Sequence, residues 1–176
     1  MRDLPNIIVT GTPGTGKSKH CEKLGQILPE LTVVSINKFI QDHDLESSFD
    51  KARNSVVADE DKLLDLIQPE LEAGGKIIDW HVCDIFQPEL IDLVIVLRAD
   101  TTHLYDRLKA RGYANQKFEE NIDAEIMGEI LNDAQESYEP EIIVELHSDN
   151  DHDLETNCQR IKSWFKQWVI DNTKQN

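Results

Sequence analysis

The chain has 176 residues, 39% of them hydrophobic, and a formal net charge of −16 at pH 7, enough for one domain with a real core. No run approaches the about 18 apolar residues of a membrane span. So acidic a surface is poorly suited to gripping free nucleic acid, which calls for concentrated Lys and Arg; it either attracts basic partners or only aids solubility.

The N-terminus, Met1 to Pro5, has no apolar signal-peptide core, and the expected location is the cytosol or nucleus. Ile7-Ile8-Val9-Thr10 reads as a short buried strand that runs into Gly11-Thr12-Pro13-Gly14-Thr15-Gly16-Lys17-Ser18. This is the phosphate-binding P-loop pattern, with a strand before it and a helix after it. Glycines at 11, 14 and 16 let the backbone curl until successive N–H groups face one anion. The following helix adds the positive end of its dipole. Lys17 can reach β- and γ-phosphates, and the Ser18 hydroxyl can ligate Mg²⁺.

The helix from Lys17 to about Leu28 presents Leu24, Ile27 and Leu28 to the sheet and ends at Pro29. Leu31–Ser35 is the second strand. Residues 36–58 are polar and irregular and read as a small insertion, built of two short helices. Asp59-Glu60-Asp61 places carboxylates at the start of the next helix. Its stripe is Leu63, Leu66, Ile67 and Leu71; Pro69 is expected to kink it and Gly74-Gly75 to stop it. Lys76–Val82 is a strand. After a loop, Leu90–Leu97 is the most apolar run in the chain, as expected of a strand covered on both faces.

Thr101–Arg111 reads as a helix capped by Thr101 or Thr102 and stopped by Gly112. A polar loop covers 113–119. One long helix is expected from Asn121 to about Tyr138, with Ile122, Ile126, Ile130, Leu131, Ala134 and Tyr138 on one side. Glu141–Leu146 is the last strand, and Ser148–Asp153 a turn. The closing helix carries Leu154, Cys158, Ile161, Phe165 and Trp168 at helical spacing. Strands alternate with helices, so the fold class is α/β with a parallel sheet. Cys21, Cys83 and Cys158 form neither a disulfide framework nor a zinc quartet.

Asp79 ends an apolar run about 60 residues after the P-loop, where an acidic residue can hold Mg²⁺ directly or through water; the other reading is a buried capping Asp. His81 stands beside it at the carboxyl end of a strand, where open α/β sheets place their ligands. It either orients the attacking group or is structural. Arg107 and Arg111 share one face of a helix. They can stabilise charge on a transferring phosphoryl group, or lie on a solvated face with Asp106 or Glu119.

Beyond the P-loop stretch from Asn6 to Ser18, five further motifs stand out: Asp59-Glu60-Asp61-Lys62, Asp79-Trp80-His81, Val96-Leu97-Arg98, Leu108-Lys109-Ala110-Arg111-Gly112-Tyr113 and Glu136-Ser137-Tyr138. Together they resemble the adenylate kinase isoenzyme 6 family over about residues 5–170. These are small nuclear adenylate kinases and ATPases, among them the coilin-interacting nuclear ATPase of animals and its fungal counterpart. The resemblance implies a single P-loop NTPase domain of nucleoside-monophosphate-kinase type over residues 1–176. Its five-stranded parallel sheet would be flanked by helices, with a monophosphate-binding subdomain at 35–58 and a short lid at 110–120.

By the same resemblance, Gly14, Gly16, Lys17, Ser18 and Lys19 would surround the ATP phosphates, and Gly11 and Thr15 of the same loop are counted with them as candidate ATP-binding residues. Arg111 would contact ATP from the lid edge, with Arg107 a further candidate ATP-binding residue on the same helix face, and the turn at Ser148–Asn150 would lie against adenine. Lys17, Asp79, His81 and Arg111 would be catalytic, and Ser18 and Asp79 would hold Mg²⁺. The implied activity is ATP + AMP = 2 ADP together with ATP hydrolysis. The implied setting is the nucleus and cytoplasm, in late maturation of the pre-40S particle and its 18S rRNA, with the ribosomal protein uS11 as partner.

The sequence departs from the family at one place. Where the family reads Phe-Pro-Glu-Arg, this chain reads Phe86-Gln87-Pro88-Glu89-Leu90, without the arginine. The start of the 35–58 segment offers Lys38 in place of an arginine, and Arg53 comes later. Monophosphate kinases clamp the acceptor phosphate with such arginines. Two other functions therefore stay open: a nucleotide-switched assembly chaperone for a basic ribosomal protein, and a small-metabolite kinase.

Overall fold

The computed structural model describes residues 2–51, 55–113 and 115–173. In chain order the elements are β1 (Ile7–Gly11), α1 (Lys17–Ile27), β2 (Thr32–Ser35), α2 (Ile36–Asp42), β3 (Glu46–Asp50), β4 (Ser55–Ala58), α3 (Glu60–Ala73), β5 (Lys76–Asp79), β6 (Leu93–Arg98), α4 (Thr101–Ala110), α5 (Asn115–Met127), α6 (Glu129–Ser137), β7 (Ile143–His147) and α7 (Asp151–Thr173). Five strands form a sheet of order β2-β5-β1-β6-β7, and every pairing in it is parallel. The chain steps from β1 toward one edge, then from β5 back across β1 to β6. That reversal opens a crevice at the carboxyl ends of the strands.

Successive residues of a strand point to opposite faces, and both faces here are covered. Ile7 and Val9 pack with Leu24 of α1, with Leu28 just after it and with Cys158, Ile161 and Phe165 of α7. Ile8 packs on the other side with Leu63, Ile67 and Leu71 of α3 and with Ala134 of α6. β6 divides in the same way, Leu93, Ile95 and Leu97 toward α1 and α7, Val94 and Val96 toward α3 and α6. Each such side chain stabilises the fold by about 1.5–3 kcal/mol relative to exposure. The apolar runs of β1 and β6 follow from this double cover.

Several boundaries differ from the sequence reading. The 35–58 insertion is one helix, α2, followed by the antiparallel hairpin β3–β4; the Ser55-Val-Val-Ala58 run is the strand signal that the polar surroundings hid. β5 stops at Asp79, and β6 begins at Leu93 after a short 3-10 turn at Pro88–Leu90. α4 is capped by Asp100, whose side chain accepts from the Thr102 N–H at 2.9 Å. Asp59 caps α3 as expected, and the helix runs on through Pro69 to Gly74 and Gly75 at φ 82° and 75°.

The long helix expected from Asn121 is two helices. It begins at Asn115 and breaks at Gly128, whose φ of 66° is left-handed. Its apolar stripe breaks there too: Ile126 is exposed, and Glu125 takes the buried position. Among the described residues no helix is long and apolar enough to cross a membrane.

Candidate active site

A cleft of about 1300 Å³ lies at the carboxyl end of the sheet. Its donor end is built by the turn between β1 and α1. Gly11, Gly14 and Gly16 have φ of 145°, 97° and 92°. A side chain at Gly11 would bring its Cβ within 2.6 Å of the Leu97 carbonyl oxygen, and one at Gly14 within 2.8 Å of Leu104. Only glycine fits a backbone that curls this tightly against β6 and α4. Thr15 is buried, and its hydroxyl donates to the Thr12 carbonyl at 2.8 Å, which closes the turn.

Lys17 folds back over this turn. Its Nζ donates to the Gly11 carbonyl at 2.8 Å and to that of Thr12 at 3.3 Å. The cleft mouth leaves the side chain some surface, but protein surrounds it, and burial lowers its pKa to about 8. Asp79 pulls in the opposite direction, and Arg111 adds to the lowering. Ser18 Oγ donates to Asp79 Oδ2 at 2.8 Å. A hydroxyl and a carboxylate therefore meet at the mouth of the P-loop. Two hard oxygen donors suit Mg²⁺, which keeps waters and substrate phosphates as its other ligands. No group of three or more His, Cys, Asp or Glu forms a protein cage among the described residues.

His81 opens to the cleft beside Asp79. The surrounding walls withhold water from its cationic form, and Lys17 and Lys117 repel it, so its pKa falls to about 4. The ring is nonetheless exposed at the cleft, and so low a pKa makes it a weak base, better suited to orienting a group than to holding its proton. The loop that carries it is pinned from behind: the Tyr138 hydroxyl donates to the Cys83 carbonyl at 2.5 Å.

Arg107 and Arg111 both line the cleft, but they are engaged differently. Arg107 donates to the carbonyls of Gly14 at 3.2 Å, Ser148 at 2.8 Å and Asp149 at 2.8 Å. It braces the P-loop against the turn that carries Asn150. Arg111 is exposed at the end of α4, with the Tyr113 hydroxyl 3.4 Å from its guanidinium. Lys19 and Asn150 complete the donor end. Every site residue read from the sequence thus lies in or directly around one cleft.

Some contributors carried no sequence signal. Lys117, near the start of α5, lines the cleft with its Nζ 4.5 Å from the centre of the Tyr113 ring. His20 is buried behind the P-loop, its Nδ1 2.9 Å from the Gly16 carbonyl and its Nε2 3.2 Å from Asn157 Nδ2. Because Asn157 donates there, the proton sits on Nδ1; burial lowers the pKa of His20 and keeps the ring neutral. Glu125 accepts from Thr12 Oγ1 at 2.6 Å. Each of these is set by tertiary packing from a distant element.

The acceptor end is walled by α2, the hairpin and the start of α3, through Asn37, Gln41, Glu46, Val56, Val57 and Glu60. No Lys or Arg is among the described residues on this wall. Lys38 turns away and pairs with Asp42 at 2.5 Å. Arg53 lies outside the described residues. Gln87 stands apart from the cleft, its Nε2 3.5 Å from Gln68 Oε1.

An AAA domain family matches residues 7–128. The adenylate kinase isoenzyme 6 homologue of Saccharomyces cerevisiae is 53% identical, over 94% of this chain and 84% of its own. That of Schizosaccharomyces pombe is 46% identical over 95% of both chains. This chain belongs to the adenylate kinase isoenzyme 6 family. The Caenorhabditis elegans homologue, at 43% identity over 91% of this chain and 88% of its own, extends the likeness to an animal. A solved shikimate kinase from Bacteroides thetaiotaomicron covers 92% of this chain and 98% of its own, with a TM-score of 0.62 and 15% identity. At that identity it supports the fold alone, a P-loop kinase sheet. Membership and fold together make the protein a kinase-type P-loop enzyme.

Proposed function

We propose that the protein binds Mg·ATP at the donor end and transfers its γ-phosphoryl group to AMP, with water as a competing acceptor. The observation that carries the reading is the Ser18–Asp79 contact at the mouth of a closed glycine loop with Lys17 folded across it. Lys17 would exchange its two carbonyl partners for β- and γ-oxygens. Ser18 and Asp79 would hold Mg²⁺, which neutralises charge on the phosphates. Arg111, less committed than Arg107, is the arginine free to meet the transferring group. His81, beside Asp79, would orient the attacking oxygen; AMP attacks as a dianion with no proton to give up, so His81 would accept a proton only where water is the acceptor.

A second reading, hydrolysis over AMP phosphorylation, is favoured by one observation. The described wall of the acceptor end carries carboxylates and amides but no cation, and a phosphate monoester dianion gains little there. Mg·ATP incubated with and without AMP tests both. ADP that requires AMP, without free phosphate, means kinase. Free phosphate without AMP means hydrolysis. Neither product, despite tight ATP binding, would leave a nucleotide switch.

In the cell, we place this activity in the nucleus and cytoplasm, in maturation of the pre-40S particle and its 18S rRNA, with the basic ribosomal protein uS11 as partner. The net charge of −16 and the family resemblance support this. Complementary fields speed such an encounter and suppress wrong partners. A one-to-one complex should weaken as salt rises and depend on whether ATP or ADP is bound. Titrating labelled uS11 at two salt concentrations with each nucleotide checks it; binding indifferent to salt removes the electrostatic account.

A further inference from the structure

Glu125 is a carboxylate at 4% exposure inside a helix whose neighbours Ile126 and Met127 are 60% and 70% exposed. Burying a carboxylate is costly unless it is paired and fully hydrogen-bonded. Here it is: it accepts from Thr12 Oγ1 at 2.6 Å, Arg98 Nε at 2.8 Å and the Ala99 N–H at 3.0 Å. Arg98 returns a bond to the Glu125 carbonyl at 2.8 Å and reaches Glu145 at 3.1 Å. The network joins four places far apart in sequence: the first turn of the P-loop, the end of β6, the C-terminal end of α5 and β7.

The partner that gives this network a function is Thr12. Its carbonyl receives Lys17 Nζ and both the N–H and hydroxyl of Thr15. Holding the Thr12 side chain therefore fixes the plane of the peptide against which Lys17 and the loop are set. The other end of α5 carries Lys117, eight residues earlier and about 12 Å along the axis, facing the cleft. We propose that Glu125 is a positioning residue that fastens α5 to the P-loop, so that loop and helix form one preorganised frame for the phosphates. The inference rests on the ATP reading above. Without the bond, Thr12 and α5 would each have to be ordered when nucleotide binds, and that ordering would subtract from affinity.

The test is the affinity for Mg·ATP, per folded molecule, of the wild type, Glu125→Gln, Thr12→Val, the double variant and Thr12→Ser, with melting temperatures alongside. Glu125→Gln and Thr12→Val should each weaken binding about tenfold. The double variant should be no more than about threefold worse than the poorer single one, since both break one linkage. Thr12→Ser, which keeps the hydroxyl, should recover to within about threefold of the wild type. If Glu125→Gln does not fold, Thr12→Val against Thr12→Ser decides alone. A wild type that binds no Mg·ATP overturns the ATP reading and this inference with it. A wild type that binds, with variants whose affinity stays within twofold while only the melting temperature falls, leaves that reading intact and overturns the role of Glu125. Losses that simply multiply would overturn the linkage.

Discussion

The two ends of the cleft are built on different principles. At the donor end, backbone and side chains are already committed to one another: Lys17 to two carbonyls, Arg107 to three, Ser18 to Asp79, Glu125 to Thr12. At the acceptor end, the walls are a seven-residue helix and a two-stranded hairpin in which Phe49, Val56 and Val57 are exposed. A lone hairpin is marginally stable, and among the described residues β3 and β4 pair chiefly with each other. The difference teaches where specificity lies. A phosphate cradle committed in this way can serve many reactions, so on the proposed reading the choice of acceptor would rest with the opposite wall and its charges.

The largest expected effect falls on the rigid end. Lys17→Ala should abolish turnover and weaken ATP binding, because the β/γ charge loses its fixed partner. Turnover and calorimetry measure it, and unchanged turnover in folded protein would remove the P-loop reading. Arg111→Ala should lower phosphoryl transfer on the order of 10³-fold with a smaller effect on ATP affinity. Single-turnover kinetics separate the two, and activity within about twofold of wild type would place Arg111 on a solvated face.

Smaller effects sharpen the comparison. Asp79→Asn should raise the Mg²⁺ concentration needed for half-maximal rate roughly tenfold, since a neutral amide is a poorer ligand for a hard cation; a Mg²⁺ titration reads it. The last effect is one of pH. With its pKa lowered to about 8, Lys17 loses its proton in the free protein above that pH. Bound phosphates favour the charged form, so binding should take up a proton above pH 8, and affinity should fall as pH rises. Calorimetry in buffers of different ionisation enthalpy detects the uptake. The sign for stability is opposite: between about pH 8 and 10.5 the unfolded state holds more protons than the folded one, so the nucleotide-free fold gains stability as pH rises.

The donor end was legible in the sequence because its chemistry is local. Gly11 to Ser18 is one contiguous turn, and Asp79 follows an apolar run that only a buried strand explains. What escaped was set by distant partners. Glu125 looks like any surface glutamate until α5 packs on α4 and brings it to the end of β6, and the helical period that assigned Ile126 to the core fails because a carboxylate took that position to reach Thr12 and Arg98. The hairpin was hidden because a sheet of two strands with an exposed face lacks the apolar alternation that marks buried strands. Asp100 displaced the threonines as a cap because its side chain reaches the Thr102 N–H.

The contrast between the ends is tested most directly by titrating Mg·ATP and AMP separately into the purified protein by calorimetry. The committed donor end predicts Mg·ATP binding at least about tenfold tighter than AMP, lost in Lys17→Ala, with AMP affinity little changed by that substitution. AMP binding as tight as Mg·ATP, or ATP binding that survives Lys17→Ala undiminished, would contradict it.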